Sequence, residues 1–568
     1  MSIGPVEREL LHDHLRAVAD EMAVTLRRSA HSMAVRDHLD FSTAVFDRDG
    51  AAVAQGSCLA MQLGALPFAV RGLLAAFPDG IPEDRVAVTN DPYSGAGTHL
   101  PDLIAVAPVL HEGERVAYVA TLAHKVDIGG RTAGGLATDS NEIFEEGLRI
   151  PPLLLPLDAE SDDPGWMVFR RIVEANVRLP EPVIGDLLGQ LATLYVGRGR
   201  FADCISWFGI ETVVEGMAAI LDYSESFARQ RLAELPDART EFTDYLDDDG
   251  SGGGSLELPV AVEVAGDTLR IDYTKLPDQV PSAINATFPN SYTVALFALR
   301  AVVGDGAPVN DGFARALTVD VRQGSIANAN FPAAVGSRGI LQYRLWDALM
   351  GAIGEMLPER GMAGGDGGND ILIFSGRDGD EPFVMMELLN GSWGGRPFAD
   401  GIDGTSHPLA NLSNTPIEHI EREYPIAIED YSLVPDSGGP GLFRGGCGVR
   451  RVFRIDCERA VMQMRSSRRS FLSYGLDEGE PGAASSTELV RDGERTPLPC
   501  NGRVELRAGD RIVHVVCGAG GFGEPAGRDR ARLRDDLSEG YVSGERAFTD
   551  YSYLANEEGL VPKKGVVR

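Results

Sequence analysis

Residues 90–127 read NDPYSGAGTHLPDLIAVAPVLHEGERVAYVATLAHKVD, and the pairing of their apolar runs decides the fold. Residues 103–110 and 115–122 are apolar and rich in β-branched side chains. They are joined by His111-Glu112-Gly113-Glu114, a polar linker with the glycine that a tight hairpin needs. An antiparallel pair follows. With the turn centred between Glu112 and Gly113, Asp102 faces Ala123 and Pro101 faces His124, with cross-strand neighbours roughly 5 Å apart. His124 is therefore expected beside Asp102 and His99. Two imidazoles and a carboxylate are a ligand set for a divalent metal with open positions, which can make hydroxide from water near neutral pH. The plainer alternative has His99 as a turn residue, Asp102 as a cap and His124 as a satisfied core histidine. The hairpin geometry and the glycine-rich approach Gly95-Ala96-Gly97 weigh toward the metal.

Six signatures lie in order along the chain: NDPYSGAGTHLPD (90–102), AHKVDIGG (123–130), EEGLRIPP (145–152), SNTPIEHIE (413–421), PDSGGPGLFRGGCGVRR (435–451) and GAGGFGEP (518–525). Together they resemble the hydantoinase B/oxoprolinase family, which includes metal-bearing subunits of ATP-dependent hydantoinases and lactamases and of acetone and acetophenone carboxylases. The resemblance implies that His99, Asp102 and His124 hold the metal. It also places an aspartate near the metal where this chain has RDHLDFS (36–42), which makes Asp40 a candidate further ligand or general base. A local turn role at a strand entrance is the alternative for Asp40. Where the family often has a histidine, this chain has Gln62. Zinc is the first expectation for the metal and manganese the alternative. ATP is expected at a separate hydantoinase A-like subunit, within a hetero-oligomer.

The remaining sequence bounds the reading. At 568 residues the chain is expected to form more than one structural unit. The fold class expected is mixed α+β, with several mainly antiparallel sheets and flanking helices. A metal-site domain is expected over 1–240, a substrate and subunit-interface region over 241–525, and a charged, peripheral tail over 526–568. Apolar spacing predicts helices over 6–30, 183–196, 210–233 and 340–357, a strand after Asp40, and hairpins around Gly266-Asp267 and Gly509-Asp510. A net charge of −32 speaks against nucleic acid or an anionic membrane as partner, since both need a basic face. No apolar run approaches the roughly 20 residues of a membrane span, and the charged start MSIGPVERELLHDH lacks an export signal. Cytoplasm is the expectation. Six cysteines without Cys-x-x-Cys spacing are expected as buried thiols.

Several residues carry open readings. Asp127 and Asp91 are candidates to orient a ligand histidine. Glu146 and Arg149 are candidates for substrate orientation, or a solvated pair before a proline-stiffened strand. Asn285 could bind a carbonyl or phosphoryl oxygen, or hold a turn. His31 and His38 are read as core or surface histidines. Glu418, His419, Glu421, Glu423 and Arg444 form either a cation cluster or a structural segment. The only lysines are Lys125, Lys275, Lys563 and Lys564, and no Gly-Lys-Ser/Thr follows a glycine-rich loop, so the chain is expected to lack a conventional ATP site of its own. The function expected from this resemblance is ring opening of a cyclic amide that the partner subunit has phosphorylated. A ketone carboxylase subunit is the alternative.

Overall fold

A computed structural model describes residues 3–94, 97–158, 162–556 and 559–562. Gly95 and Ala96 of the glycine-rich approach, and Lys563 and Lys564, lie outside the described residues. The helices expected from apolar spacing form where the pattern places them. They are α1 (Pro5–Ser29), α3 (Pro180–Phe208), which is longer than expected, the helix Ile210–Ala233, and α4 (Gly339–Met356); a further helix that the spacing does not predict is α2 (Ala60–Ala76). No single helix among the described residues is long and apolar enough to cross a membrane.

The architecture is a mixture of helices and several largely antiparallel sheets, the class the sequence suggests. The first sheet contains β1 (Phe41–Asp47), β2 (Ala52–Gln55), β3 (Arg85–Thr89), β4 (Asp102–His111), β5 (Glu114–His124) and β6 (Leu153–Pro156), in the order β2-β1-β5-β4-β3-β6. Both of its faces are covered. Leu103, Ala105, Ala107 and Val109 pack toward α1 and α3, whereas Ile104, Val106, Ala120 and Leu122 pack toward Leu66, Ala69, Val70 and Leu73 of α2. Double coverage explains why β4 and β5 read as continuous apolar runs.

A second four-stranded sheet (238–320) packs on α4 and shares its core. A third is built from the strands Asp370–Asp378, Glu381–Leu389, Arg459–Arg465 and Asn501–Arg507. It presents Ile371 and Ile373 to that same core and Leu372 and Phe374 to another, shared with a five-stranded sheet that contains Phe453 and Ile512. Here the expected hairpin around Gly509-Asp510 does not form. The strand Asn501–Arg507 pairs with Arg459–Arg465, while Arg511–Val515 pairs with Val449–Ile455 and Ser486–Arg491 in the other sheet. The turn carries the chain between layers, a choice that alternation within each strand cannot reveal.

Among the described residues, 526–553 are docked rather than peripheral. Arg528 is fully buried and bonds the carboxylates of Asp400 and Asp536, and Leu533, Val542, Ala547, Tyr551 and Tyr553 form a small core of their own. All six cysteines are free, four of them buried.

A buried ion cluster fastens the third sheet's loop to the second sheet and α4. Arg468 donates to both oxygens of Asp244, at 3.0 and 2.9 Å, and also bonds Asp347. Removing the cation would take the ion pair from buried Asp347 and leave buried Asp244 with the longer contact to Arg344, at 3.6 Å. Arg468→Met should therefore cost about 3–5 kcal/mol in urea unfolding. The exposed pair Arg495–Glu488 should lose no more than about 1 kcal/mol on Arg495→Ala. Equal losses would contradict this assignment.

Candidate metal centre

Strand register assembles the site. The turn Glu112-Gly113 has both residues at positive φ, +51° and +84°, as a two-residue hairpin turn requires. His111 pairs with Glu114 and Leu110 with Arg115, but Val109 then pairs with Ala117. The extra residue, Val116, is a bulge that moves the pairing by one. Asp102 therefore stands directly opposite His124, not Ala123 as the unbulged register predicts. On the other side of β5, Phe41 pairs with Ala123, and the His124 amide donates to the Asp40 carbonyl at 3.0 Å. Asp40, His124 and Asp102 thus form one row across β1, β5 and β4. By the two-residue period they share a face with Ser42, Leu122 and Ile104, the face that α2 covers.

His99 joins the row from the turn before β4, where its carbonyl accepts from the Asp102 amide at 3.0 Å. Its Nδ1 pairs with the Gly336 carbonyl at 3.0 Å, and its Nε2 lies 3.3 Å from Asp102 Oδ2. A carbonyl partner makes Nδ1 the protonated nitrogen and leaves the Nε2 lone pair free for a cation. One ligand atom from each of His99, Asp102 and His124 lies within 4.8 Å of the others. All three residues are buried, and His124 Nδ1 is buried without a partner. Two nitrogen donors and a carboxylate at that spacing fit a divalent ion. Asp40 is not among these mutually close donors, contrary to its expected place as a fourth ligand. Gln62 on α2 stands between: its Nε2 donates to Asp40 Oδ1 at 2.7 Å and to Asp102 Oδ1 at 3.3 Å, and its Oε1 accepts from Ser42 Oγ at 2.9 Å.

The residues that sequence reading missed come from the loop before α4. Arg338 Nη2 donates to Asp102 Oδ2 at 3.0 Å and its Nε to Asn290 Oδ1 at 3.0 Å, while Thr98 Oγ1 also bonds Asp102 Oδ2. A lone arginine in the otherwise uncharged run AAVGSRGILQY (333–343) was the available signal. Glu146 is buried and accepts the Gly336 amide at 2.6 Å, so it braces the peptide that orients His99. Arg149 is parted from it and lies over the rings of Phe144 and Phe331.

The other candidates have structural partners. Asp127 accepts from the amides of Gly129, Gly134 and Arg178 and so shapes the glycine loop instead of orienting a histidine. Asp91 holds its own turn through Tyr93 and Ser94. Asn285 bonds Val280 and Ser282 within its turn and the carbonyl of the distant Ala334. His38 is buried beside Thr415 and Glu387, and His31 is exposed. His419 meets Arg36 and Asp37, and Arg444 pairs with Asp403 and Asp536. Lys125 is buried against Gln190, and Lys275 pairs with Glu241.

Burial sets the protonation states. Desolvation and the charges of His99 and Arg338 hold His124 down at about 3, and desolvation with Arg338 lowers His99, so both imidazoles are neutral at pH 7, as ligands must be. Burial raises Asp102, but His99, Arg338 and His124 outweigh it and keep the carboxylate ionised. Asp40 is pushed well up by burial and then by the charge of Asp102. The two carboxylates, in one row, are therefore driven in opposite directions.

The chain is similar to known proteins along nearly its whole length. The profile of the hydantoinase B/oxoprolinase family matches residues 4–525. An uncharacterised protein of Methanocaldococcus jannaschii is 32% identical, over 96% of this chain and 95% of its own. The B subunit of a putative D-/L-hydantoinase of Pseudomonas sp. is 29% identical, over 97% and 95%. The crystal structure of the ATP-dependent caprolactamase from Pseudomonas jessenii superposes with a TM-score of 0.90 at 27% identity, covering 98% of each chain. Nucleotide-free acetone carboxylase has a TM-score of 0.88 at 17% identity, covering 99% of this chain and 81% of its own, a likeness of fold.

Glu146 supplies a pH test. Burial raises it from 4.5 to about 8, so the folded chain favours the protonated acid. That contribution is complete below the unfolded value and is lost as pH rises through the folded one. Thermal melts from pH 5 to 9 should show Glu146→Gln gaining on wild type as pH rises, and a pH-independent difference would contradict the buried acid.

Proposed function

The chain belongs to the hydantoinase B/oxoprolinase family, and we propose that it is the metal-bearing β subunit of an ATP-dependent cyclic amidase, opening a ring amide that a separate A subunit has phosphorylated. The observation that carries this reading is the row Asp40–His124–Asp102, with His99 Nε2 turned onto it, in a chain similar to a hydantoinase B subunit and an ATP-dependent caprolactamase.

His99, Asp102 and His124 would hold the ion, zinc first and manganese as the alternative. When bound, it would supply Lewis acidity and an activated water near neutral pH. Gln62 fixes one oxygen of Asp40, Oδ1, and leaves Oδ2 to take or return a proton. Its raised proton affinity suits it to that task near neutrality. Arg338 neutralises Asp102 and, through Asn290, ties the centre to the helix Phe288–Val303. The cavity at the centre is about 50 Å³, lined by Gln62, Tyr343, Met386 and Leu388 among others. It has room for an ion and a water or two. A reacting bond would be presented there at its edge, with bulk water kept out. An unactivated amide is a poor electrophile, so phosphorylation of its oxygen by the A subunit is what makes the ring carbon reactive.

Elemental analysis tests the ligand set. Wild type should carry about one divalent ion per chain, His99→Ala and His124→Ala should lose it while remaining folded, and Asp40→Asn should keep it. With the partner subunit, ATP and a lactam or hydantoin, Asp40→Asn should lower turnover by about 10²–10⁴-fold. No ion in wild type after reloading would return the histidines to a structural role. The fold shared with acetone carboxylase supports a second reading, a ketone carboxylase subunit. A requirement for bicarbonate, with ketone consumed and no ring opened, would favour it.

A further inference from the structure

A larger cavity of about 610 Å³ adjoins the metal centre, and Leu136, Ile371 and Arg465 line both. In a chain of net charge −32, the wall of this cavity carries Arg131, Arg178, Arg377, Arg465 and Arg503 against a single carboxylate, Asp139. Arg131 is paired with Asp139 and Glu145, and Arg178 with Asp127. Arg465 is different. It is only 7% exposed, it has no ion pair or side-chain hydrogen bond among the described residues, and its Nε is buried without an acceptor. A buried guanidinium left unpaired is destabilising in general, and among the described residues no ion pair relieves it, although Asp370 is close enough to act on it electrostatically.

Strand pairing fixes where the residue stands. Arg465 ends the strand Arg459–Arg465, opposite Ile371 on one neighbour and Asn501 on the other. Its guanidinium lies against Gly339, the first residue of α4, where a Cβ would come within 3.1 Å of Nη2. The fork therefore meets the start of an 18-residue helix, whose positive dipole end also favours an anion. Burial pushes this arginine down to about 10, still protonated at neutral pH.

We propose that Arg465 anchors an oxyanion, the carboxylate or phosphoryl group of the molecule that reaches the candidate metal centre; this deepens, and rests on, the ring-amide reading above. An arginine fork binds either group through paired N–H donors. The anion completes the ion pair that the fold leaves open and positions the ring at the mouth of the 50 Å³ cavity. Arg465 is then a determinant of substrate charge, distinct from the ligand residues.

Isothermal titration of the full chain with inorganic phosphate, 5-oxoproline and the uncharged ring 2-pyrrolidinone tests this. Wild type should bind phosphate, 5-oxoproline or both more tightly than 2-pyrrolidinone, and the preferred anion identifies the source of the charge. Arg465→Gln should weaken that anion about tenfold or more, Arg465→Lys less, with 2-pyrrolidinone unaffected. The melting temperature of Arg465→Gln should equal or exceed that of wild type, because the variant removes an unpaired buried charge. Three results would overturn the proposal: equal anion affinity in wild type and Arg465→Gln, no preference for either anion over the neutral ring, or a fall in melting temperature in both variants. No turnover enters the measurement, so a bicarbonate requirement could sink the ring-opening reading without touching this result.

Discussion

The hydrogen-bonded register of three adjacent strands is the constraint on which the centre depends. β1, β5 and β4 are locked side by side, and one inserted residue, Val116, decides which side chains meet at their end. Without it, Asp102 would face Ala123 and His124 would lie one step along, on the opposite pleat from its partner carboxylate. With it, Asp40, His124 and Asp102 share one row and one face. The bulge sits at the far end of the hairpin from the centre, so its influence passes through the whole ladder, a rigid path because both faces of the sheet are buried.

Around that row, burial governs the chemistry. Arg338, Thr98, His99 and Gln62 all satisfy Asp102, which stays ionised, whereas among the described residues the Asp40 side chain has Gln62 alone and shifts toward its acid form. The same low-polarity surroundings hold both imidazoles neutral. Orientation comes from further out: Glu146 holds Gly336, whose carbonyl holds His99. Thr98 and His99 reach Asp102 locally, but Gln62, Arg338, Gly336 and Glu146 come from segments distant in sequence, so the complete centre cannot form before the first sheet, α2 and the loop ahead of α4 have packed together.

The fold segregates two kinds of buried arginine. Arg468 and Arg528 are saturated by carboxylates and tie layers together. Arg465 is also buried but, among the described residues, makes no ion pair with a carboxylate and lines a cavity instead. Structural arginines bring their own anions in the chain, whereas one that waits for an anion from outside has a binding role.

Much of this was legible in the sequence. Apolar periods of 3.6 and 2 residues located α1, α3, α4 and the β4–β5 hairpin, since local spacing determines which face a helix or strand can bury. The turn residues Glu112 and Gly113 and the ordered motifs pointed to His99, Asp102, His124 and Asp40. What alternation could not carry was the bulge at Val116, which leaves both apolar runs intact, or the parting of Asn501–Arg507 from Arg511–Val515 into different sheets, since each strand alternates equally well beside any neighbour. Nor could it show that Gln62 bridges two carboxylates, that Arg338 and Glu146 close on the centre, or that Arg465 is left unpaired. Those facts depend on contacts across tens to hundreds of residues, and the pairing and protonation of a buried charge are set by what tertiary packing brings within a few ångströms of it.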